Sequence, residues 1–251
     1  MGGTFFYQMK PSALKNILFL DIETVATTHH FDELSETRQA LWIKKSAFFR
    51  EAEHQSPEEL YERAGIYSEF GKIVVIAVGF FAKTGDAQEF RISSFANTVE
   101  KVLLEDFKTM IEKYFNKPEV CFCAHNGKEF DFPYIARRMV INGIALPEVL
   151  QLSGKKPWEI KHLDTLEMWK FGDYKHFTSL DLLADIFGLK SSKDDIDGSQ
   201  VNAVYYEEKD LKRIDRYCQK DVAVLAQVFL KLTQLPDLES ENIQWVNKEE
   251  D

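Results

Sequence analysis

The first clear apolar run, Ile17 to Leu20, leads directly into Asp21 and Glu23. A continuous apolar run reads as a strand covered on both faces, in the middle of a sheet. Residues i and i+2 of a strand project to the same face. Asp21 and Glu23 are therefore expected side by side, on the face where Ile17 and Phe19 pack. Further runs predict strands at 72–82, 88–95 and 120–124, and a short one at 160–163, with a turn at 83–86. A 3.6-residue period predicts helices at 98–115, 129–142 and 210–232. The first carries Val102, Leu103, Phe107, Ile111 and Phe115 on one stripe. The last and longest turns Ile214, Tyr217, Cys218, Val222, Leu225, Val228 and Phe229 inward. Shorter helices fall at 166–171 and 179–187, and a polar loop at 191–198. Between the first two strands, residues 26–70 show helical spacing in two pieces, 31–53 and 58–65. The second opens with Ser56 as N-cap and Pro57 at the first helical position. This stretch reads as a helical insertion.

Strands joined by short links should be antiparallel, and those joined through helices parallel. The expected class is α/β, with three antiparallel strands followed by parallel ones. Residues 1–15 read as an extended lead-in. Residues 237–251 hold six acids and one Lys and read as a loosely held tail. One domain over 1–235, with an acidic tail over 236–251, accounts for the pattern.

Composition narrows the class. The chain has 251 residues, 45% of them hydrophobic, enough for one sizeable core. Cys121, Cys123 and Cys218 give neither a disulfide framework nor a Cys-x-x-Cys zinc pattern. A reducing, cytoplasmic setting is expected. No signal-peptide layout and no long apolar run suggests a membrane. The net charge of −10 argues against a protein that coats nucleic acid electrostatically. The charge is uneven: residues 128–176 carry eight Lys and Arg against seven Asp and Glu, and the remainder 23 against 34. A site that grips only a few nucleotides needs local cations rather than a basic surface.

Three acidic places fall at element ends. They are Asp21 with Glu23, Asp131 at the mouth of a helix, and Asp221 one turn after Tyr217 on the longest helix. Taken singly, each has an ordinary explanation as a solvated strand end, a helix cap, or a core Tyr beside an exposed Asp. Two carboxylates at the end of a buried strand repel and lose water, and a divalent cation relieves both costs. Mg²⁺ and Mn²⁺ take oxygen ligands of this kind. Four converging carboxylates suit two such cations about 4 Å apart. His29, His30 and His54 in the insertion are read as surface or packing residues, and His162 and Asp164 as structural supports.

In this order the residues resemble the DEDD-type 3′–5′ exonucleases whose third motif carries Tyr. Asp21-Ile22-Glu23-Thr24 is similar to the first motif, Asn126 through Phe130-Asp131 to the second, and Tyr217-x-x-x-Asp221 to the third. The chain is most similar to predicted 3′–5′ exonucleases related to the proofreading domain of family B DNA polymerases. His162-Leu163-Asp164-Thr165, Ser179-Leu180-Asp181 and Gly198-Ser199-x-Val201 add to the likeness. The resemblance implies a ribonuclease-H-like fold and two divalent cations, Mg²⁺ or Mn²⁺, held by Asp21, Glu23, Asp131 and Asp221. It also implies release of nucleoside 5′-monophosphates. Tyr217 would position the attacking water or the phosphate, because a phenol is a poor base at neutral pH. Thr24, Asn126 and Phe130 would contact the terminal nucleotide, with Phe130 able to stack on a base or equally to pack in the core. Lys128, Arg137, Arg138, Lys155, Lys156 and Lys161 are candidate phosphate contacts, though any single one reads more simply as part of a solvated face. No polymerase-like segment follows, and the exonuclease is expected to stand alone. The expected partner is nucleic acid, single-stranded DNA or frayed ends first. RNA, or binding without catalysis on the same fold, remain as alternatives.

Overall fold

Strand β1 (Ile17–Ala26) lies inside a six-stranded sheet, where its apolar run predicts it. The computed structural model describes residues 9–49, 54–84, 87–173, 177–191 and 195–246. The other strands are β2 (Gly71–Thr84), β3 (Ala87–Ala96), β4 (Cys121–Ala124), β5 (Leu163–Asp164) and β6 (Ile243–Trp245). Their order is β5-β4-β1-β2-β3-β6. The first three pair antiparallel, as their short links require. Strand β4 is parallel to β1, β5 to β4 and β6 to β3.

The helices are α1 (Glu36–Ser46), α2 (Pro57–Leu60), α3 (Glu100–Tyr114), α4 (Asp131–Ile141), α5 (Thr165–Lys170), α6 (Leu180–Ile186), α7 (Val201–Ala203) and α8 (Leu211–Leu232). The sheet separates two apolar layers. On one side Ile17, Phe19, Val25, Val75 and Ala77 meet Ile214, Val222 and Phe229 of α8. On the other, Leu18, Leu20, Ile22, Ile73 and Ile76 meet Leu104 and Phe107 of α3 and Phe132 and Ile135 of α4. Each fully buried side chain of this size contributes roughly 1.5–3 kcal/mol. Gly79 brings α8 close to β2: a Cβ there would lie 2.3 Å from the Phe90 ring and 2.8 Å from Val222.

Several expectations change. Pro11–Asn16 is a 3₁₀ helix with Leu14 buried, where an extended lead-in was expected; residues 1–8 lie outside the described residues. Val102 does not join the buried stripe of α3 and is 41% exposed, because Glu100, Leu103, Leu104, Phe107 and Ile111 set its inward face. The insertion holds the shorter helices α1 and α2, and α2 runs into a 3₁₀ turn over Tyr61–Ile66. They enclose Trp42, Leu60, Tyr61 and Phe70 in a separate apolar cluster. The acidic tail supplies β6, and Leu238 is buried ahead of it. Residues 247–251 lie outside the described residues.

Candidate metal centre

The geometry of β1 opens the site. Strand β4 pairs with β1 only at Ile17, Leu18 and Phe19. Strand β2 stays paired through Ala26, with a bulge between Glu23 and Thr24. Past Phe19, then, the β4-side edge of β1 has no strand beside it among the described residues. Asp131, the first residue of α4, fills part of that gap and accepts a hydrogen bond from the Ile22 backbone N–H. Its Oδ1 is buried and has no hydrogen-bond partner among the described residues.

Asp21 and Glu23 point to the α8 face. Strand periodicity puts them there with Phe19 and Val25. On α8, Tyr217, Cys218 and Asp221 share the surface that meets them. The Cys218 thiol donates to the carbonyl and to Oδ2 of Asp21, both at 3.4 Å. Ligand atoms of Asp21, Glu23 and Cys218 lie within 4.8 Å of one another. Glu23, Asp131 and Asp221 are 8%, 3% and 8% exposed, so these three are largely out of water, while Asp21 is half-buried.

The electrostatics follow from that placement. Burial, then repulsion from Asp131, Asp221 and Glu23, pushes the Asp21 carboxyl well above its usual range. Burial, then Asp221 and Asp131, does the same to Glu23. Asp131 is pushed up to about 7, chiefly by burial. Burial and the nearby carboxylates raise the Tyr217 phenol, which also donates to Asp221, so it is a hydrogen-bond donor and not a base. Burial raises the Cys218 thiol as well. Mutually repelling carboxyl groups and a buried, unpartnered Asp131 oxygen form a donor set that fits hard divalent cations.

The remaining candidates sit differently. Thr24 hydrogen-bonds the Tyr134 hydroxyl. Phe130 packs its ring against Tyr134 at 5.3 Å and is half-buried. Asn126 adopts a left-handed backbone (φ 62°). Its N–H donates to Asp164 Oδ1 at 2.9 Å, and that of Lys128 to Oδ2 at 3.1 Å. Asp164 also caps α5 through the Leu166 N–H at 3.0 Å. It thereby fixes the loop that delivers Asp131, the supporting part expected of it. His162 is a core residue: Nδ1 accepts from the Phe122 N–H at 3.1 Å, Nε2 donates to the Val149 carbonyl at 3.0 Å, and burial lowers its pKa to about 4.

Arg138 is not a phosphate contact. It is 7% exposed and paired with Glu100 through Nε and Nη2 at 2.8 and 2.5 Å. Lys128 is tied to Glu167 at 2.7 Å. The sequence reading missed two supports, Glu100 and the thiol of Cys218. The sequence marks Cys218 only as an inward-facing residue of α8, beside Tyr217 and three residues before Asp221.

The mixed sheet flanked by helices, with acidic side chains gathered at the open edge of a central strand, is consistent with a ribonuclease-H-like fold carrying a candidate metal centre. Residues 66–248 match the family described as predicted 3′–5′ exonucleases related to the exonuclease domain of PolB, and the chain belongs to that family. The matched range includes Asp131, Tyr217 and Asp221 and begins after Asp21 and Glu23. The fold is similar to that of the family B DNA polymerase from the hyperthermophilic archaeon Pyrobaculum calidifontis, with a TM-score of 0.51 and 16% identity. That likeness covers 86% of this chain and 24% of the polymerase chain. No curated protein sequence matches the chain. Among the described residues, no helix is long and apolar enough to cross a membrane.

Proposed function

We propose that the chain hydrolyses phosphodiester bonds from the 3′ end of DNA, on single strands or frayed ends, using two divalent cations. The observation that carries this reading is the approach of Asp131 and the α8 residues Tyr217 and Asp221 to Asp21 and Glu23 at the open edge of β1. Repelling buried carboxylates cost stability unless cations neutralise them.

In this reading Asp21, Glu23, Asp131 and Asp221 hold the cations. Bound there, divalent cations lower the pKa of a water and neutralise charge on the phosphate and the leaving oxygen. The protein's own groups set the geometry. Cys218 holds Asp21 by its thiol, and the Ile22 N–H holds Asp131. Tyr217 keeps its proton and donates it in a hydrogen bond, to Asp221 at rest and to the attacking water or the phosphate during turnover. Thr24, Asn126 and Phe130 are proposed to border the terminal nucleotide.

The test is digestion of a 5′-labelled oligonucleotide with Mg²⁺ or Mn²⁺. Stepwise shortening that chelator stops is expected, and Asp21→Ala should lose at least about 10³-fold in rate. Robust activity in the purified variant would falsify the assignment. DNA and RNA oligonucleotides compared on kcat/KM separate deoxyribonuclease from ribonuclease.

A further inference from the structure

The insertion carries a surface that the carboxylate centre does not use. Helix α1 and the segment from Tyr67 to Phe70 border a groove of roughly 660 Å³. Trp42 of α1 is fully buried and packs against the groove-lining rings of Phe49, Tyr67 and Phe70. Three cations line the groove, Arg38, Lys44 and Lys45, against one acid, Glu69. That balance contrasts with the net charge of −10 on the whole chain. Aromatic rings alternate with the cations. Arg38 lies 5.0 Å over the Phe70 ring and Lys45 4.5 Å over Tyr67. Phe49 stacks on Tyr67 at 5.2 Å. Phe48 is 85% exposed, and Lys44 has no ion-pair partner among the described residues.

The groove is held in register with the metal centre. The Phe70 carbonyl accepts the Thr27 N–H at 2.8 Å, one residue beyond β1. From Glu23 to Thr27 is four residues, about 13 Å along an extended strand. Helix α4, which begins at Asp131, grips the same segment: Tyr134 donates to the Gly65 carbonyl at 2.6 Å and Arg138 to that of Ser68 at 2.8 Å. Lysines and an arginine beside the exposed Phe48 ring form a surface on which a base stacks and phosphates pair, with little regard to sequence.

We infer that the α1 groove binds the single-stranded nucleic acid leading away from the metal centre. The inference rests on the proposed function for its substrate class, and it gives the insertion a role the carboxylate site lacks. The three groove cations, Arg38, Lys44 and Lys45, and the exposed Phe48 all precede the family-matched range.

The experiment is fluorescence anisotropy of the full chain in chelator with a labelled single strand of about 20 nucleotides, repeated across salt concentrations. Lys44→Ala and Phe48→Ala remove exposed side chains, and unchanged melting curves verify the fold. Phe48→Ala is expected to raise Kd about tenfold. Lys44→Ala should lower the slope of log Kd against log salt by about 0.7, the share of one phosphate contact on a single strand. Kd and slope both at wild-type values in the double variant overturn the inference; that is also the outcome if the groove docks an acidic protein segment. The two readings fail separately. Groove-dependent binding without hydrolysis leaves this inference standing and removes the nuclease reading. Hydrolysis with binding that ignores Lys44 and Phe48 does the reverse.

Discussion

Replacing Asp131 by Asn should stabilise the metal-free protein while removing its response to metal. Asp131 is 3% exposed, its Oδ1 has no partner among the described residues, and burial pushes its pKa up to about 7 from an ordinary value of 3.8. A raised carboxyl binds its proton more tightly folded than unfolded. Its contribution is therefore fully present below the ordinary carboxylate range and is lost as pH rises through about 7. Three pKa units correspond to a ceiling of roughly 4 kcal/mol at higher pH, since one unit is about 1.4 kcal/mol. Local relaxation and water entry reduce this to about 1–3 kcal/mol. Asparagine keeps an oxygen for the Ile22 N–H and carries no charge. Melting without metal at about pH 8 should then rise by about 3–10 °C, since 1 kcal/mol shifts a chain of this size by about 2–4 °C. At about pH 5 the gap should be less than half as large, since the folded wild-type carboxyl is protonated there while the unfolded one is still mostly ionised, and it should close only below the ordinary carboxylate range. Adding Mn²⁺ should raise the wild-type midpoint and leave the variant nearly unmoved. A variant less stable than wild type at high pH, or one with a full Mn²⁺ response, would refute the reasoning.

Other expectations follow from the same geometry. The Mn²⁺-induced melting shift of the wild type should grow from about pH 5 to about pH 8, because cations bind the ionised carboxylates that protons otherwise occupy; a shift independent of pH would exclude carboxylate ligation. Tyr217→Phe should lower kcat about 10²-fold and keep the metal response, since a hydrogen-bond donor is lost and no ligand is; loss of the melting shift would give Tyr217 a different part. Arg138→Met should cost about 3–5 kcal/mol in urea unfolding, because Glu100 is left charged and buried, and adding Glu100→Gln should restore part of it. Gly71→Ala should destabilise strongly, as its Cβ would lie 2.2 Å from the Tyr134 hydroxyl and 2.5 Å from the Gly65 carbonyl.

The long-period features were legible in the sequence. The apolar run before Asp21, the stripe of α8 and the Asn-Gly loop before Asp131 each carry their placement in local pattern. Features made by long-range contact were not. Strand β6 is three residues in an acidic tail, and it exists because β3 offers an edge from Phe90 to Ile92. Glu100 looks like an ordinary first-turn helix acid; only the fold brings it the Ile73 N–H at 2.7 Å and Arg138. Cys218 reads as a core residue, which it is. Its second task, holding Asp21, appears only when α8 crosses β1. Short elements follow the same rule: the five-residue π turn at Val204–Glu208 packs Tyr206 onto the Ala26 carbonyl at 2.6 Å, and no sequence period marks it.

The insertion raises a sharper question, since it separates the first acidic pair from every other part of the site. The pairing of β1 with β2 answers it. Ala26 is the register partner of Gly71, so the chain leaves the sheet and returns at adjacent positions. Residues 27–70 are then an excursion closed at its base by the Thr27–Phe70 hydrogen bond and filled by its own cluster around Trp42. Loop-closure entropy grows only slowly with such length. The register that sets Asp21 opposite Ala77 and Glu23 opposite Val75 is fixed inside the sheet and does not depend on what the excursion contains. The same closure explains how a family match can begin at residue 66 while the strand that precedes the excursion still meets α4 and α8. It also frees the excursion to acquire a surface of its own, built over the strand ends that lead to the carboxylates.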